Sequence, residues 1–324
     1  MNNFPIIRAR HTVFGAIVGD SLGSTFEFMK SSEVKNKLTS YNYLNDGLVG
    51  MGPFELIPGQ FTDDTEMALC IMSIINKNNG EYNQHLVADK YHEWYLSNPF
   101  DMGKTTKNSV SQSNRDLMIT AAEKYNYQSM SNGSLMRLFG LVSMYYNKNI
   151  YDLTRAVSED VVLTHSNHEM IKISVIYSLA LWKAIQGESA ENIYNWIRRK
   201  SHHSDLIKSL CFAVDNKENK FIYNFNTYRI KDIDSELFGF VGFAFWLMLI
   251  CLKNYNNYRD AILYVVGFGG DTDTNACIVG AMMGALYPDT IPKRWIKNVL
   301  DCRAKKRYSD FPIINPEIWT KWLP

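Results

Sequence analysis

Two short acidic runs, Thr62-Asp63-Asp64-Thr65 and Gly269-Gly270-Asp271-Thr272-Asp273-Thr274-Asn275, hold the densest chemistry in the 324-residue sequence. Each sets two carboxylates beside hydroxyl oxygens and leads into an apolar stretch of helical period, 66–75 and 276–287. A helix N-terminus needs one capping side chain. Asp63 beside Asp64, and Asp271 two residues from Asp273, instead carry a like-charge cost that a cation relieves. Oxygen-only ligand sets suit Mg²⁺, Mn²⁺ or Ca²⁺ rather than zinc. Thr62 and Thr274 would add neutral oxygens, and the two runs read as halves of one metal site.

Other readings of these motifs fit less well. An EF-hand starting at Asp271 would need glycine where Ala276 stands and glutamate where Met282 stands. A D-x-D-x-T phosphatase nucleophile at Asp271 would leave only about fifty residues for the rest of its α/β domain. His165-Ser166-Asn167-His168-Glu169 has neither zinc-protease order, so one of its histidines is expected to be structural. Asn132-Gly133-Ser134 suggests a loop whose backbone NH groups face a phosphate.

Helical period dominates the elements that must position these residues: 12–28, 66–76, 84–96, 136–146, 151–163, 169–186, 190–199, 236–252, 258–266 and 275–286. Strand alternation is scarce and no Gly/Pro/Ser-rich linker divides the chain, so one all-α domain over 1–324 is expected. The least helical stretches, 30–60 and 215–234, read as surface loops or insertions. Gly15, Gly19 and Gly23 recur every four residues, as do Ala276, Gly280 and Gly284. Two helices with such bare faces could cross tightly and draw the acidic loops together.

Lys plus Arg number 34 against 33 for Asp plus Glu, a formal charge of +1 that favours neither nucleic acid nor an anionic membrane. The basic triplets Arg198-Arg199-Lys200 and Lys305-Lys306-Arg307 read as solvated faces. Five cysteines without a C-x-x-C pair make a poor disulfide framework and fit reduced, buried thiols. The first residues lack the apolar core of a signal peptide. The longest apolar run, 237–252, has 16 residues and is short for a membrane span. A cytoplasmic location is expected.

Gly15-Ala-Ile-Val-Gly19-Asp20-Ser-Leu-Gly23 with Glu27-Phe28 resembles the opening helix of the ADP-ribosylglycohydrolases. Four further motifs follow in family order. Phe61-Thr-Asp-Asp-Thr-Glu-Met-Ala-Leu69 is similar to the first metal motif, Asn132-Gly-Ser-Leu-Met-Arg137 to the phosphate loop, Leu163-Thr-His165 to the third, and Gly269–Asn275 to the second metal motif. The resemblance spans 12–288. Pro99-Phe-Asp-Met-Gly-Lys-Thr-Thr106 is similar to the substrate loop of the branch that removes ADP-ribose from arginine, although Lys104 stands where that branch often has a polar amide.

The resemblance implies an all-α orthogonal bundle with a binuclear Mg²⁺ or Mn²⁺ centre at the mouth of a cleft. Thr62, Asp63, Asp64, Asp271, Asp273 and Thr274 would be its ligands. Glu27 and Asp101 would divide the proton work of N-glycosidic hydrolysis. Gly133 and Ser134 would hold the diphosphate, and His165 would line the ribose and adenosine side, with Gly103, Asn132 and Met136 completing the substrate contacts. The implied substrate is an ADP-ribosylated protein, and a cognate ADP-ribosyltransferase toxin is the expected partner if the protein serves immunity. Hydrolysis of another ADP-ribose linkage, and a non-catalytic binding, immunity or crystallin-like role, are the alternatives on the same fold.

Overall fold

A single seam between two glycine-faced helices organises the molecule. The computed structural model describes residues 4–40, 47–224, 226–229 and 238–324. Helix α1 (Phe4–Gly23) lies against the helix Thr272–Leu286 with their backbones in contact. A methyl group placed on Gly15 would strike the Gly280 carbonyl, one on Gly19 the Ala276 carbonyl, and one on Gly284 the His11 carbonyl. The four-residue spacing therefore has a steric cause, and a larger side chain at the seam would cost about 1–3 kcal/mol or more by overpacking. Tyr258 Oη donates to Gly15 O at 2.6 Å and Tyr177 Oη to Ile278 O at 2.9 Å, which pins both helices from outside.

Around this seam run α2 (Ser31–Ser40), α3 (Asp63–Lys77), α4 (Gln84–Leu96), α5 (Lys104–Val110), α6 (Arg115–Tyr125), α7 (Leu135–Met144), α8 (Ile150–Val162), α9 (His168–Ile185), α10 (Ala190–Lys200) and α11 (Asp205–Asp215). They are followed by α12 (Val241–Asn254), α13 (Tyr258–Val266), α14 (Thr272–Leu286), α15 (Lys293–Asp301), α16 (Lys305–Asp310) and α17 (Pro316–Trp319). A hairpin of β1 (Lys220–Tyr223) and β2 (Asn226–Arg229) is the only sheet among the described residues. One continuous apolar core reaches from Ala9 in α1 to Trp319 in α17. No described helix is long and apolar enough to cross a membrane.

The helices read from apolar period are present, most of them within a few residues of their expected ends, while the one expected over 12–28 runs from Phe4 to Gly23. The helix expected from 236 begins at Val241, and its expected first residues lie partly outside the described ones. Helices of weak period escaped: α2 occupies part of the expected loop 30–60, and the hairpin occupies part of 215–234. Helix α2 is fixed by capping rather than by an apolar stripe, for Glu33 Oε2 accepts from Lys30 N at 2.7 Å. Within those stretches, 41–46, 225 and 230–234 lie outside the described residues.

One surface expectation is corrected. Arg307 is buried, not solvated: its guanidinium grips Glu66 at 2.8 and 2.5 Å and donates to Ser97 O and Oγ at 3.0 Å each. Glu66 has no solvent to shield it inside α3, and Trp94 Nε1 donates to it at 2.6 Å. A paired cation is the physical requirement there.

Candidate functional site

Helix α1 and the turn that follows it deliver one carboxylate to each acidic run, Asp20 from the helix and Glu27 from just beyond it. Asp20, fully buried, accepts hydrogen bonds from Thr62 N at 3.0 Å, Thr62 Oγ1 at 2.9 Å, Thr65 N at 3.1 Å and Thr65 Oγ1 at 2.5 Å. These bonds clamp the first run at the start of α3, whose N-terminal dipole also favours Asp63 and Asp64. Burial raises Asp20 to about 7, opposed by its four donors. Thr62 Oγ1 also reaches Asp64 Oδ2 at 2.8 Å, while Asp64 Oδ1 is buried with no hydrogen-bond partner. Burial and then neighbouring carboxylates hold Asp63 and Asp64 well above the ordinary range.

The second run turns on Gly269 and Gly270, both in the left-handed region at φ +72° and +76°. A side chain on Gly269 would strike Met29 O. This turn pairs with the segment after α1, Phe28 N donating to Gly270 O at 2.9 Å and Gly270 N to Met29 O at 2.8 Å. The pairing sets Glu27 at the head of α14, where its Oε2 accepts from Thr272 N at 2.7 Å, Thr272 Oγ1 at 3.2 Å and Asp273 N at 3.4 Å. Glu27 thus caps a helix 245 residues away in sequence. It also joins Asp271 and Asp273 in a group whose nearest carboxylate oxygens all lie within 4.8 Å of one another. Burial, then the Asp271 charge, raises Glu27 to about 8. Asp273 is driven well up by burial and by Glu27, and Asp271 is raised by burial against a hydrogen bond from Asn132 Nδ2 at 2.7 Å.

Both corners open on a cleft of about 340 Å³. Glu27, Asp63, Asp271, Asp273 and Thr274 line one side. Asp101, Gly103, Asn132, Gly133 and Met136 line the rest, and burial raises Asp101 to about 6. Asp64 and Thr62 lie behind this wall, fully buried beside Asp20. Ser134 is fully buried with its hydroxyl on Ser174 Oγ at 3.3 Å, so its side chain does not reach the cleft.

His165 is also set back, contrary to the expectation that it lines the ribose side. Its ring nitrogens meet Thr164 Oγ1 and Ser131 Oγ, each at 2.8 Å, and it stands behind Gly133. Burial, then the charge of Arg137, lowers its pKa to about 3, so the ring stays neutral. Ser131, which it holds, does line the cleft.

The residues fit divalent cations. A fully buried carboxylate oxygen without a donor, Asp64 Oδ1, and three facing carboxylates form a hard-oxygen set whose mutual repulsion needs positive charge. Among the described residues Lys104 is the only cation lining the cleft.

Three contributions were missed in the sequence. Asp20 falls within the Gly15–Gly23 motif, and an acid directly after Gly19 in an otherwise apolar, glycine-faced helix is the available signal. Arg137 forms a buried pair with Asp160 at 2.8 Å and also donates to Gly133 O at 3.2 Å and Thr164 Oγ1 at 2.9 Å, bracing the phosphate loop. The segment around Gly239 closes the cleft from another element: Asn132 N donates to Gly239 O and Val241 N to Met130 O, both at 2.9 Å. No local pattern announces it.

Comparison with known proteins places this arrangement. The family model described as ADP-ribosylglycohydrolase matches residues 2–317. A protein of Acanthamoeba polyphaga mimivirus, provisionally named an ADP-ribosyl glycohydrolase, is 56% identical over 331 residues and covers all of both chains. The ADP-ribosylarginine hydrolase Tri1 of Pseudomonas putida is 27% identical across 90% of this chain and 74% of its own. ADP-ribosylhydrolase ARH3 of Homo sapiens is 26% identical across 89% of this chain and 88% of its own. A solved ADP-ribosylglycohydrolase-related protein complex superposes with a TM-score of 0.71 over 98% of this chain and 99% of that one, at 22% identity, which shows a shared fold.

Proposed function

The chain belongs to the ADP-ribosylglycohydrolase family, and from that premise we propose that it is a metal-dependent hydrolase that releases ADP-ribose from modified arginine on proteins. Residues 1–324 act as one all-α orthogonal domain on this reading. The observation that carries it is the gathering of Glu27, Asp63, Asp271 and Asp273 in one cleft with Asp101, and with Asp64 Oδ1 unsatisfied behind them. Similarity to an ADP-ribosylarginine hydrolase supports the arginine linkage.

Asp63, Asp64, Asp271, Asp273, Thr62 and Thr274 would hold two Mg²⁺ or Mn²⁺ ions, with Glu27 beside them. When bound, the ions supply electrophilic charge that offsets these carboxylates and polarises the substrate oxygens they touch. Gly133 and Gly103 present bare backbone to the cleft, where a diphosphate can approach closely. Hydrolysis adds a water oxygen to the ribose anomeric carbon and a proton to the departing nitrogen. Asp101, raised to about 6, retains a proton more readily than an ordinary aspartate and hands it to that nitrogen. Glu27 spends Oε2 on α14; its other oxygen would take the proton of the attacking water once cation charge beside it has lowered it from about 8 and freed it of its own proton.

On this reading the protein reverses mono-ADP-ribosylation, including one placed by a cognate toxin. Five free, buried cysteines fit work in a reducing cytoplasm. Lys104 favours a second reading, because a cation lining the same cleft as Asp101 disfavours a cationic leaving group and suits a neutral, serine-type linkage. A panel of arginine-, serine- and cysteine-linked ADP-ribose decides between them, with fastest release expected from arginine. Unchanged release after chelation, or from Asp271→Ala, would overturn the metal role.

A further inference from the structure

A second cavity, of about 280 Å³, lies beside the cleft and is lined in part by Phe54, Phe100, Glu55, Asp310 and Lys306. A chain of rings connects the two spaces. Phe28 lines the cleft and meets Phe54 edge-on at 6.0 Å between ring centres, and Phe54 meets Phe100 at 5.3 Å. Phe100 and Asp101 are neighbours in sequence, yet Asp101 lines the cleft and Phe100 the second cavity. The wall that Phe54 and Phe100 form therefore stands next to Asp101.

The charges there are distinctive. Arg307, also in the lining, is used up on Glu66 and Ser97. Glu55 and Asp310 are exposed and have no ion-pair partner among the described residues, against one unpaired cation, Lys306. Aromatic faces beside two carboxylates that outnumber the one free cation among the described residues suit a lysine or arginine side chain, through cation–π attraction and charge-assisted hydrogen bonds. The exposed Phe28 and Phe100 extend the apolar rim on which a polypeptide backbone can rest.

We propose that this second cavity is a docking subsite for the modified polypeptide, receiving a basic side chain close in sequence to the ADP-ribosylated residue. The inference rests on the hydrolase reading, because it needs the modified side chain to enter the cleft past Asp101. It makes the cavity the determinant of which modified protein is preferred.

The test uses the full-length protein with Mg²⁺ and three substrates: free ADP-ribosyl-arginine, an ADP-ribosylated peptide with lysine two residues from the modified arginine, and the same peptide with alanine there. The lysine peptide is expected to have a KM about three- to tenfold below that of the alanine peptide. A Glu55→Gln/Asp310→Asn double variant should remove that gap and leave turnover of free ADP-ribosyl-arginine within twofold. Equal KM values for the two peptides, or a gap that survives in the double variant, would overturn the subsite. If no substrate is turned over, the hydrolase reading fails, and calorimetric binding of the same two peptides still decides the subsite by the same ratio. Charge reversal, Asp310→Lys, should weaken the lysine peptide further without altering thermal unfolding.

Discussion

The two acidic corners of the cleft are built by the same helix and its extension, yet they use their supporting carboxylates differently. Asp20 gives both oxygens to four donors of the first run and stands wholly behind the wall. Glu27, seven residues on, gives one oxygen to the head of α14 and remains in the cleft with Asp271 and Asp273. One acid is committed to architecture and the other divides itself between architecture and chemistry. A carboxylate with every lone pair occupied has nothing left to offer a cation or a proton, whereas a half-occupied one does.

The comparison breaks most visibly at Asp20. Asp20→Ala leaves Thr62 N, Thr65 N and Thr65 Oγ1 without their acceptor, while Thr62 Oγ1 keeps Asp64 Oδ2, and should cost about 4 kcal/mol in chemical denaturation. A variant within about 1 kcal/mol of the parent would show that the clamp is dispensable. Glu27→Gln should behave in the opposite sense, keeping most of the stability because an amide oxygen still caps α14. ADP-ribose release should nevertheless fall by about 100-fold or more. Full turnover in that variant would erase the distinction between the two corners.

The pH dependence of the metal-free protein sharpens the same contrast. Asp20, Glu27 and Asp101, raised to about 7, about 8 and about 6, bind more protons folded than unfolded. Their contribution to stability is complete below the ordinary carboxylate range and is lost progressively as the pH rises from that range up through their folded values of about 6, about 7 and about 8. Thermal unfolding at pH 5 and pH 8 should show this loss, and saturating Mg²⁺ or Mn²⁺ should flatten it by rewarding the charged state. A metal-free protein equally stable at both pH values would argue that the cluster is neutralised otherwise. The smallest effect is expected at His165, which touches the cleft only through Ser131. His165→Asn should raise KM by a few fold with kcat nearly unchanged, a split readable by steady-state kinetics.

Legibility in the sequence tracked distance along the chain. The acidic runs could be read because like charges crowded into four residues are anomalous wherever they fall. The seam could be read because a helix repeats its face every three to four residues, and Gly15, Gly19, Gly280 and Gly284 kept that period. Helices α5 and α6 could not, since their polar faces blur the period, and the start of α6 is set by the Asn114 cap. Arg307 looked like one of three surface cations until its partner, 241 residues away, was placed against it.

Residue type and spacing alone therefore determined the helical class, the bare-faced seam and the presence of two hard-oxygen clusters, because each depends on neighbours within a turn or two. Which acid is spent as a clamp, which histidine is withheld from the cleft, and which phenylalanines wall off a second cavity were decided by tertiary structure. Those roles depend on burial and on hydrogen-bond partners tens to hundreds of residues distant, and no local pattern encodes either.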